Sequence, residues 1–358
     1  MPSDGRGIGD RDMSEKILSI IVPSYNMEKY LPKCLGSLVI APELMDRLEV
    51  LVVNDGSKDR TSEIAHEFVA KWPGTFKVID KENGHYGSCI NAGLKVATGE
   101  FVKILDADDS FDSAGFALLI KTLQAIDAEV DLVLTDYDVV DEDGRVTESR
   151  KMCICGASPT AFDGLKIDEG FYLAMHAVTY RRLILEGYRQ TEGVAYTDNE
   201  WVFEPMAHVR KSQYVPCVVY KYLVGRSGQS VDPALQLEKR MPQITVVVES
   251  MIERYGRLSA LVHEMGVLRY LDCMLFKVVA DYYAKVIIQL HKPTWDNELR
   301  RLDKKMLKTA PILYKQLETN LKTIRFNFHY VANWRKRRTS STVLLWLYRQ
   351  VLTVKSLG

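Results

Sequence analysis

Between residue 16 and about residue 140, short apolar runs alternate with segments of helical spacing, and each run closes on a polar turn. Residues 17–22 are β-rich and end in Pro23-Ser24-Tyr25-Asn26. Residues 48–53 end in Asn54-Asp55-Gly56-Ser57. Between them, residues 30–39 place Leu31, Cys34, Leu35 and Leu38 on one helical face; residues 61–72 do the same with Ile64, Ala65, Phe68 and Val69. A third strand over 76–79, a helix over 89–97, a fourth strand over 101–105 and a fifth over 132–140 complete the series. Strands alternating with helices predict an α/β fold, a mainly parallel sheet with helices on both faces.

Residues 141–164 are turn-rich. A strand over 177–180 and a short helix over 181–187 follow. Tyr196-Thr197-Asp198-Asn199-Glu200-Trp201 opens another helix, with Thr197 or Asp198 placed to cap it. Residues 214–224 are β-rich, and from about residue 235 the chain reads as almost wholly helical. The expected organisation is a disordered polar N-terminus over 1–15, an α/β domain over 16–232 and a helical region over 233–358. The last is a candidate membrane-surface or oligomerisation element. Asp136 and Asp138 share one face of the fifth strand and read as a solvated edge.

Parallel sheets bind ligands at the carboxyl ends of their strands. Ser24 and Asn26, Asn54 and Asp55, residues 81–84, and residues 106–109 all collect there. Four successive polar strand ends describe one site. In the last, Asp106-Ala107-Asp108-Asp109 delivers three carboxylates from a buried strand into a loop. Such a cluster suits a hard divalent cation, Mn²⁺ or Mg²⁺, with phosphate oxygens as co-ligands. The plain alternative is an Asp-rich turn before a helix N-cap.

Composition narrows the choice. Of 358 residues, 47% are hydrophobic, enough for a globular core, and 47 Lys plus Arg balance 47 Asp plus Glu, which gives no reason to expect nucleic acid as partner. Among six cysteines only Cys153 and Cys155 are close, and most of the rest sit in apolar contexts, as buried thiols of a cytoplasmic protein do. Residues 1–13 lack the apolar core of a signal peptide, and no run reaches the roughly 18 residues of a membrane span. A dinucleotide fingerprint after the first strand and a P-loop are both missing, which weakens oxidoreductase and ATPase readings.

The chain resembles glycosyltransferase family 2, inverting enzymes of the GT-A fold that include bacterial surface-polysaccharide transferases. The matching text is Ile20-Ile21-Val22-Pro23-Ser24-Tyr25-Asn26, Val52-Val53-Asn54-Asp55-Gly56-Ser57, Glu82-Asn83-Gly84, Asn91-Ala92-Gly93, Ala97-Thr98-Gly99-Glu100 and Leu105-Asp106-Ala107-Asp108-Asp109. The match is specific over residues 17–112 and weaker to about 231. The resemblance implies a Rossmann-like GT-A domain over 16–232 that transfers one sugar, hexosyl or N-acetylhexosaminyl, from a nucleotide sugar of the uridine diphosphate type. It places Pro23 and Tyr25 at the nucleobase and Asp55 as acceptor of a base hydrogen bond. Asp106 would lie near ribose and diphosphate, Asp108 on the metal, and Asn26, Asn83 and Gly84 among the donor contacts. The family's acidic pair before a helix is matched by Thr197-Asp198. Its Glu is replaced, and Asp198 stands as the catalytic base, with Glu200 in reserve. The implied acceptor is a glycan or lipid-linked hydroxyl at the cytoplasmic membrane face. The Q-x-x-R-W of processive synthases is missing, which favours one sugar per encounter.

Other residues carry weaker signals. His85 and Tyr86 either contact the donor sugar or serve the turn. Arg226 is a diphosphate clamp or a surface arginine, and His176 lies where an acceptor would enter or is structural. Trp334-Arg335-Lys336-Arg337-Arg338, before the Trp- and Leu-rich residues 343–349, fits a membrane-surface element, a docked helix or a homodimer contact. Two competing functions stay open: a nucleotidyltransferase, which also uses carboxylates and metal, and a non-catalytic nucleotide-binding scaffold.

Overall fold

The first two apolar runs become β1 (Leu18–Ser24) and β2 (Leu48–Asp55), buried along their whole length. Strands covered on both faces need continuous rather than alternating hydrophobicity, which these supply. Two exceptions sit side by side: Ser19 donates to Glu49 at 2.6 Å, and Glu49 also takes the Thr98 N–H and the Lys77 ammonium. The computed structural model describes residues 16–161, 173–226, 237–290, 292–321 and 329–340. These divide into two units. One holds the described residues up to 161 with 173–193 and 209–226; the other holds 194–208 and those from 237 onward.

The first unit is built on one sheet. β3 (Phe76–Lys81), β2, β1 and β4 (Phe101–Ile104) lie in that order and all parallel. β9 (Val178–Arg181) then runs antiparallel to β4 and to β6 (Leu132–Val140), and β10 (Lys211–Leu223) pairs parallel to β6. β5 (Ser110–Phe111) closes against β10. The sheet is therefore mixed, its four-stranded parallel half carrying the polar strand ends. Helices α1 (Leu31–Gly36), α2 (Pro42–Met45), α3 (Thr61–Lys71) and α4 (His85–Val96) link these strands. α5 (Ser113–Ala125) follows β5; Asp112 caps it by accepting from the N–H groups of Ala114 and Gly115.

Several expectations are corrected here. Of the turn-rich stretch 141–164, the described residues 141–161 are not simply turns: β7 (Val146–Arg150) hairpins onto β6 with every residue exposed, and β8 (Thr160–Ala161) pairs with β10. Asp136 and Asp138 are not a solvated edge, because β6 is paired on both sides: with β10 on one, and on the other with β9 up to Leu134 and with β7 from Tyr137. Asp136 is buried and accepts from Tyr214 and the Met152 N–H, and Asp138 accepts from Ser149. Residues 181–187 form only a 3-10 turn, Arg182–Leu185. Cys34, Cys89 and Cys155 are buried free thiols, whereas Cys153 is exposed.

The second unit is helical: α6 (Asp198–Trp201), α7 (Leu237–Leu261), α8 (Met265–Ala284), α9 (Asp296–Thr309), α10 (Pro311–Asn320) and α11 (Tyr330–Arg337). Trp334 and Arg335 of α11 are buried in it. Trp334 donates to Asp296 at 3.0 Å and Arg335 to Asp303 at 2.8 Å. These two therefore belong to the interior, not to a membrane-facing basic cluster. Residues 343–349 and the N-terminal 1–15 lie outside the described residues.

Candidate active site

The β1 and β2 ends are lashed together by side chain–backbone bonds. Asn26, in the left-handed region at φ 54°, donates its N–H to Ser57 Oγ at 3.0 Å and accepts the Lys58 N–H on its side-chain oxygen at 2.8 Å. Asn tolerates that backbone better than most residues. Pro23 lies within β1, and beyond the strand Tyr25 stands 47% exposed, an aromatic face offered to solvent.

Asp55 ends β2 and is buried. Its Oδ1 accepts the Gly84 N–H at 2.9 Å and the Lys81 ammonium at 2.6 Å, while Asn83 donates to its carbonyl at 3.0 Å. Gly56 makes this approach feasible: at φ +72° it takes a conformation that favours glycine, and a Cβ there would sit 3.0 Å from the Asn83 nitrogen. A carboxylate has about four acceptor positions, so Asp55 retains capacity for a donor from a ligand. Asp55, Asn83 and Gly84, read separately from the sequence, thus meet in one cluster.

A second cluster follows β4. The turn closes through the Asp109 N–H to the Asp106 carbonyl at 3.0 Å. Tyr86 on α4 donates to Asp106 Oδ1 at 2.8 Å, so Tyr86 belongs to the site and not merely to the turn before it. Asp109 is buried and accepts from the Tyr220 hydroxyl at 2.6 Å and the Leu223 N–H at 2.7 Å. Burial, reinforced by Asp108 and Asp106, holds its pKa well above the carboxylate range. Asp108 pairs instead with Arg226, Nε to Oδ2 at 2.5 Å, and the guanidinium also lies 5.3 Å from the Tyr30 ring centroid. Arg226 is therefore no free surface residue; its side chain is 12% exposed.

His176 completes the second cluster. Its ring stacks on Tyr222 with centroids 4.4 Å apart, and Nδ1 is buried without a hydrogen-bond partner. Burial, with Lys103 nearby, lowers its pKa to about 3, so the imidazole is neutral. Ligand atoms of Asp106, Asp109 and His176 all lie within 4.8 Å of one another. Two carboxyl groups and a neutral imidazole are donors that can hold a divalent cation, the carboxyl oxygens suiting Mn²⁺ or Mg²⁺. Lys103 is fully buried beneath this loop and donates to the carbonyls of His176 and Val178 at 2.8 and 3.1 Å. Burial brings its pKa down to about 7.

Asp198 belongs to the second unit, as the first residue of α6. Thr197 holds the N-cap position and makes no side-chain cap bond, whereas the Asp198 carboxylate accepts the Asn199 N–H. Burial raises the Asp198 pKa, with Glu200 adding to it. Glu200 is fully buried and pairs with Arg254 at 3.3 Å, and Glu204 binds the same guanidinium. Glu200 is thereby committed to an internal ion pair. Sequence reasoning missed Tyr220 and Lys103. Lys81 stands among the polar strand ends read from the sequence, though without a role of its own; Tyr220 lies in a β-rich run whose register nothing local reveals.

The sequence profile of Glycosyl transferase family 2 matches residues 19–186. EpsH of Bacillus subtilis (strain 168), which carries a glycosyltransferase name, is 37% identical over 138 residues, 38% of this chain and 38% of EpsH. YibD of Escherichia coli (strain K12), named an uncharacterized glycosyltransferase, is 26% identical over 255 residues, 67% of this chain and 72% of YibD. The chain thus spans well under two thirds of EpsH. Among solved structures, S. aureus TarS 1–349 in complex with UDP superposes with a TM-score of 0.59 at 21% identity, covering 90% of this chain and 91% of that one. This likeness shows that the fold is the GT-A fold expected from the sequence.

Proposed function

We propose, from the match of residues 19–186 to Glycosyl transferase family 2, that the protein is an inverting, metal-dependent glycosyltransferase. It moves one sugar from a uridine diphosphate sugar to a hydroxyl of a glycan or lipid-linked acceptor in surface-polysaccharide synthesis. The observation that carries this reading is the pair of clusters at the carboxyl ends of β2 and β4, the two parallel strands that flank β1. One is a buried Asp55 held by Lys81 and Gly84, the other an Asp106–Asp109 turn backed by His176. TarS, of the same fold, has been solved with UDP, which supports a uridine nucleotide here.

In this reading Tyr25 stacks on the base and Asp55 accepts its N–H, with Pro23, Asn26, Asn83 and Gly84 shaping the surround. Asp106 meets the ribose and diphosphate, and Arg226 offers its guanidinium to phosphate oxygens. Asp108, Asp106, Asp109 and His176 are the residues available to hold Mn²⁺ or Mg²⁺, which when bound neutralises charge on the departing diphosphate. Asp198 takes the proton from the acceptor hydroxyl. The acceptor oxygen then bonds to the anomeric carbon as its bond to the diphosphate breaks, inverting that centre and releasing UDP. The raised Asp198 pKa makes it a stronger base than an ordinary carboxylate.

The test is calorimetric titration of UDP and GDP sugars with Mn²⁺ and with chelator. Metal-dependent binding of a UDP sugar, abolished in Asp106→Ala and weakened in Asp108→Ala, supports the reading. Failure of every nucleotide sugar to bind contradicts it.

A further inference from the structure

At one end of the helical unit, large apolar side chains stand in solvent beside a group of lysines. α7 and α9 run parallel. Glu249 pairs with Arg301 at 3.0 Å and Glu253 with Lys305 at 2.5 Å, and a Cβ on Gly256 would come 2.8 Å from Thr309 Cγ2. The contacts advance together along both helices, so their C-terminal ends lie at the same end of the unit. There α7 ends at Leu261 and the chain turns into α8 at Met265. α9 ends at Thr309, and Ile312 follows in the first turn of α10. Leu261 is 74% exposed, Met265 75%, Leu307 51% and Ile312 72%. Exposed apolar residues scattered singly are ordinary. Here four of the ten large apolar side chains exposed among the described residues gather at one end of one unit.

Charge sorts the same way. Arg300, Lys304, Leu307 and Lys308 follow helical spacing on the solvent face of α9, and Lys315 is exposed on α10. Among the described residues, no ion pair engages Lys304, Lys308 or Lys315. The acids of α9 are engaged elsewhere: Asp296 and Asp303 are buried against α11, and Glu298 pairs with Arg301. Of the exposed acids near this end, Glu253 pairs with Lys305, and Glu264 stands at the start of α8.

We propose that this end of the helical unit rests on an anionic phospholipid surface. Leu261, Met265, Leu307 and Ile312 enter the headgroup boundary, and Lys304, Lys308 and Lys315 meet lipid phosphates. The contact is peripheral, since no helix among the described residues is long and apolar enough to cross a membrane. A second copy is the poorer occupant, because a two-fold contact through this face would set the same lysines against one another. The inference uses no residue of the glycosyl-transfer site and stands apart from that reading.

The test is co-sedimentation of the full chain with vesicles of phosphatidylcholine alone or with about one-third phosphatidylglycerol, at low and high salt. The expected result is binding to the anionic vesicles only, lost at high salt. Partitioning should fall about a hundredfold in Lys304→Glu/Lys308→Glu/Lys315→Glu and about tenfold in Leu307→Ser/Ile312→Ser. Hydrogen exchange of the wild-type chain, with and without vesicles, reads the same claim without any variant: protection should centre on residues 261–265 and 304–315. No vesicle binding, equal binding to neutral vesicles, undiminished binding of the triple variant, or protection elsewhere overturns the proposal. So does a wild-type dimer in sedimentation velocity that Ile312→Ser dissociates.

Discussion

The Tyr220 hydroxyl donates to Asp109 Oδ2 at 2.6 Å and accepts the Asp106 N–H at 3.1 Å. One phenol thereby spans both ends of the acidic turn from a strand 111 residues further along the chain. The β5–β10 pairing, which sets Tyr220 opposite Phe111, fixes its position. The acidic turn is therefore shaped by the mixed half of the sheet as well as by β4.

Tyr220→Phe removes that bridge and leaves a buried carboxylate short of a donor. Urea unfolding should show a loss of ~1–3 kcal/mol. The Mn²⁺ concentration needed for half-maximal donor binding should rise about tenfold, as when a metal ligand loses its supporting contact. If both stay unchanged, the bridge does not organise the turn.

Arg226 is held by Asp108 and lies over Tyr30, so its guanidinium is already in position. Arg226→Ala should raise the UDP-sugar Kd about tenfold. Arg226→Lys should restore little of it, because an ammonium lacks the planar fork. Wild-type affinity in the Lys variant would show that only charge matters there.

Lys103 gives a pH signature. Its folded pKa, about 7, lies below the unfolded value near 10.5. Below pH 7 both states are protonated and the burial penalty is fully present. Between about 7 and 10.5 the unfolded chain binds more protons, so this group makes stability rise with pH. In Lys103→Met that contribution to the slope should vanish, as read from urea unfolding at pH 6, 8 and 9. An unchanged slope would mean that Lys103 titrates as an ordinary lysine.

Glu200 and Asp198 separate structure from chemistry. Glu200→Gln should cost ~1–3 kcal/mol of stability, since it weakens a buried pair with Arg254 that Glu204 partly sustains. Turnover per folded molecule should be kept. Loss of turnover in the fully folded Glu200 variant would transfer the base role to it.

The parallel half of the sheet was legible because each strand is a continuous apolar run and each polar end lies within a few residues of it. Asp55, Asn83 and Gly84 meet because they lie at and just beyond the carboxyl ends of β2 and β3, which pair in parallel. α5 was equally readable, from Asp112 and the Phe116, Leu119, Ile120, Leu123 spacing, although no helix was assigned there. The contributions of Tyr220 and Lys103 were not, because register across β9, β6 and β10 is set by tertiary packing. Nor was the burial of Trp334 and Arg335: a basic–aromatic run looks the same in sequence whether Asp296 and Asp303 await it or not.

The most direct measurement is UDP release from the UDP sugar that binds, with Mn²⁺, in wild type and Asp198→Asn. Wild type should release UDP, with an acid limb above the ordinary carboxylate range. The variant should bind the donor with unchanged Kd and lose turnover by about a thousandfold or more. Equal turnover in the variant, or release of pyrophosphate in place of UDP, would contradict the account.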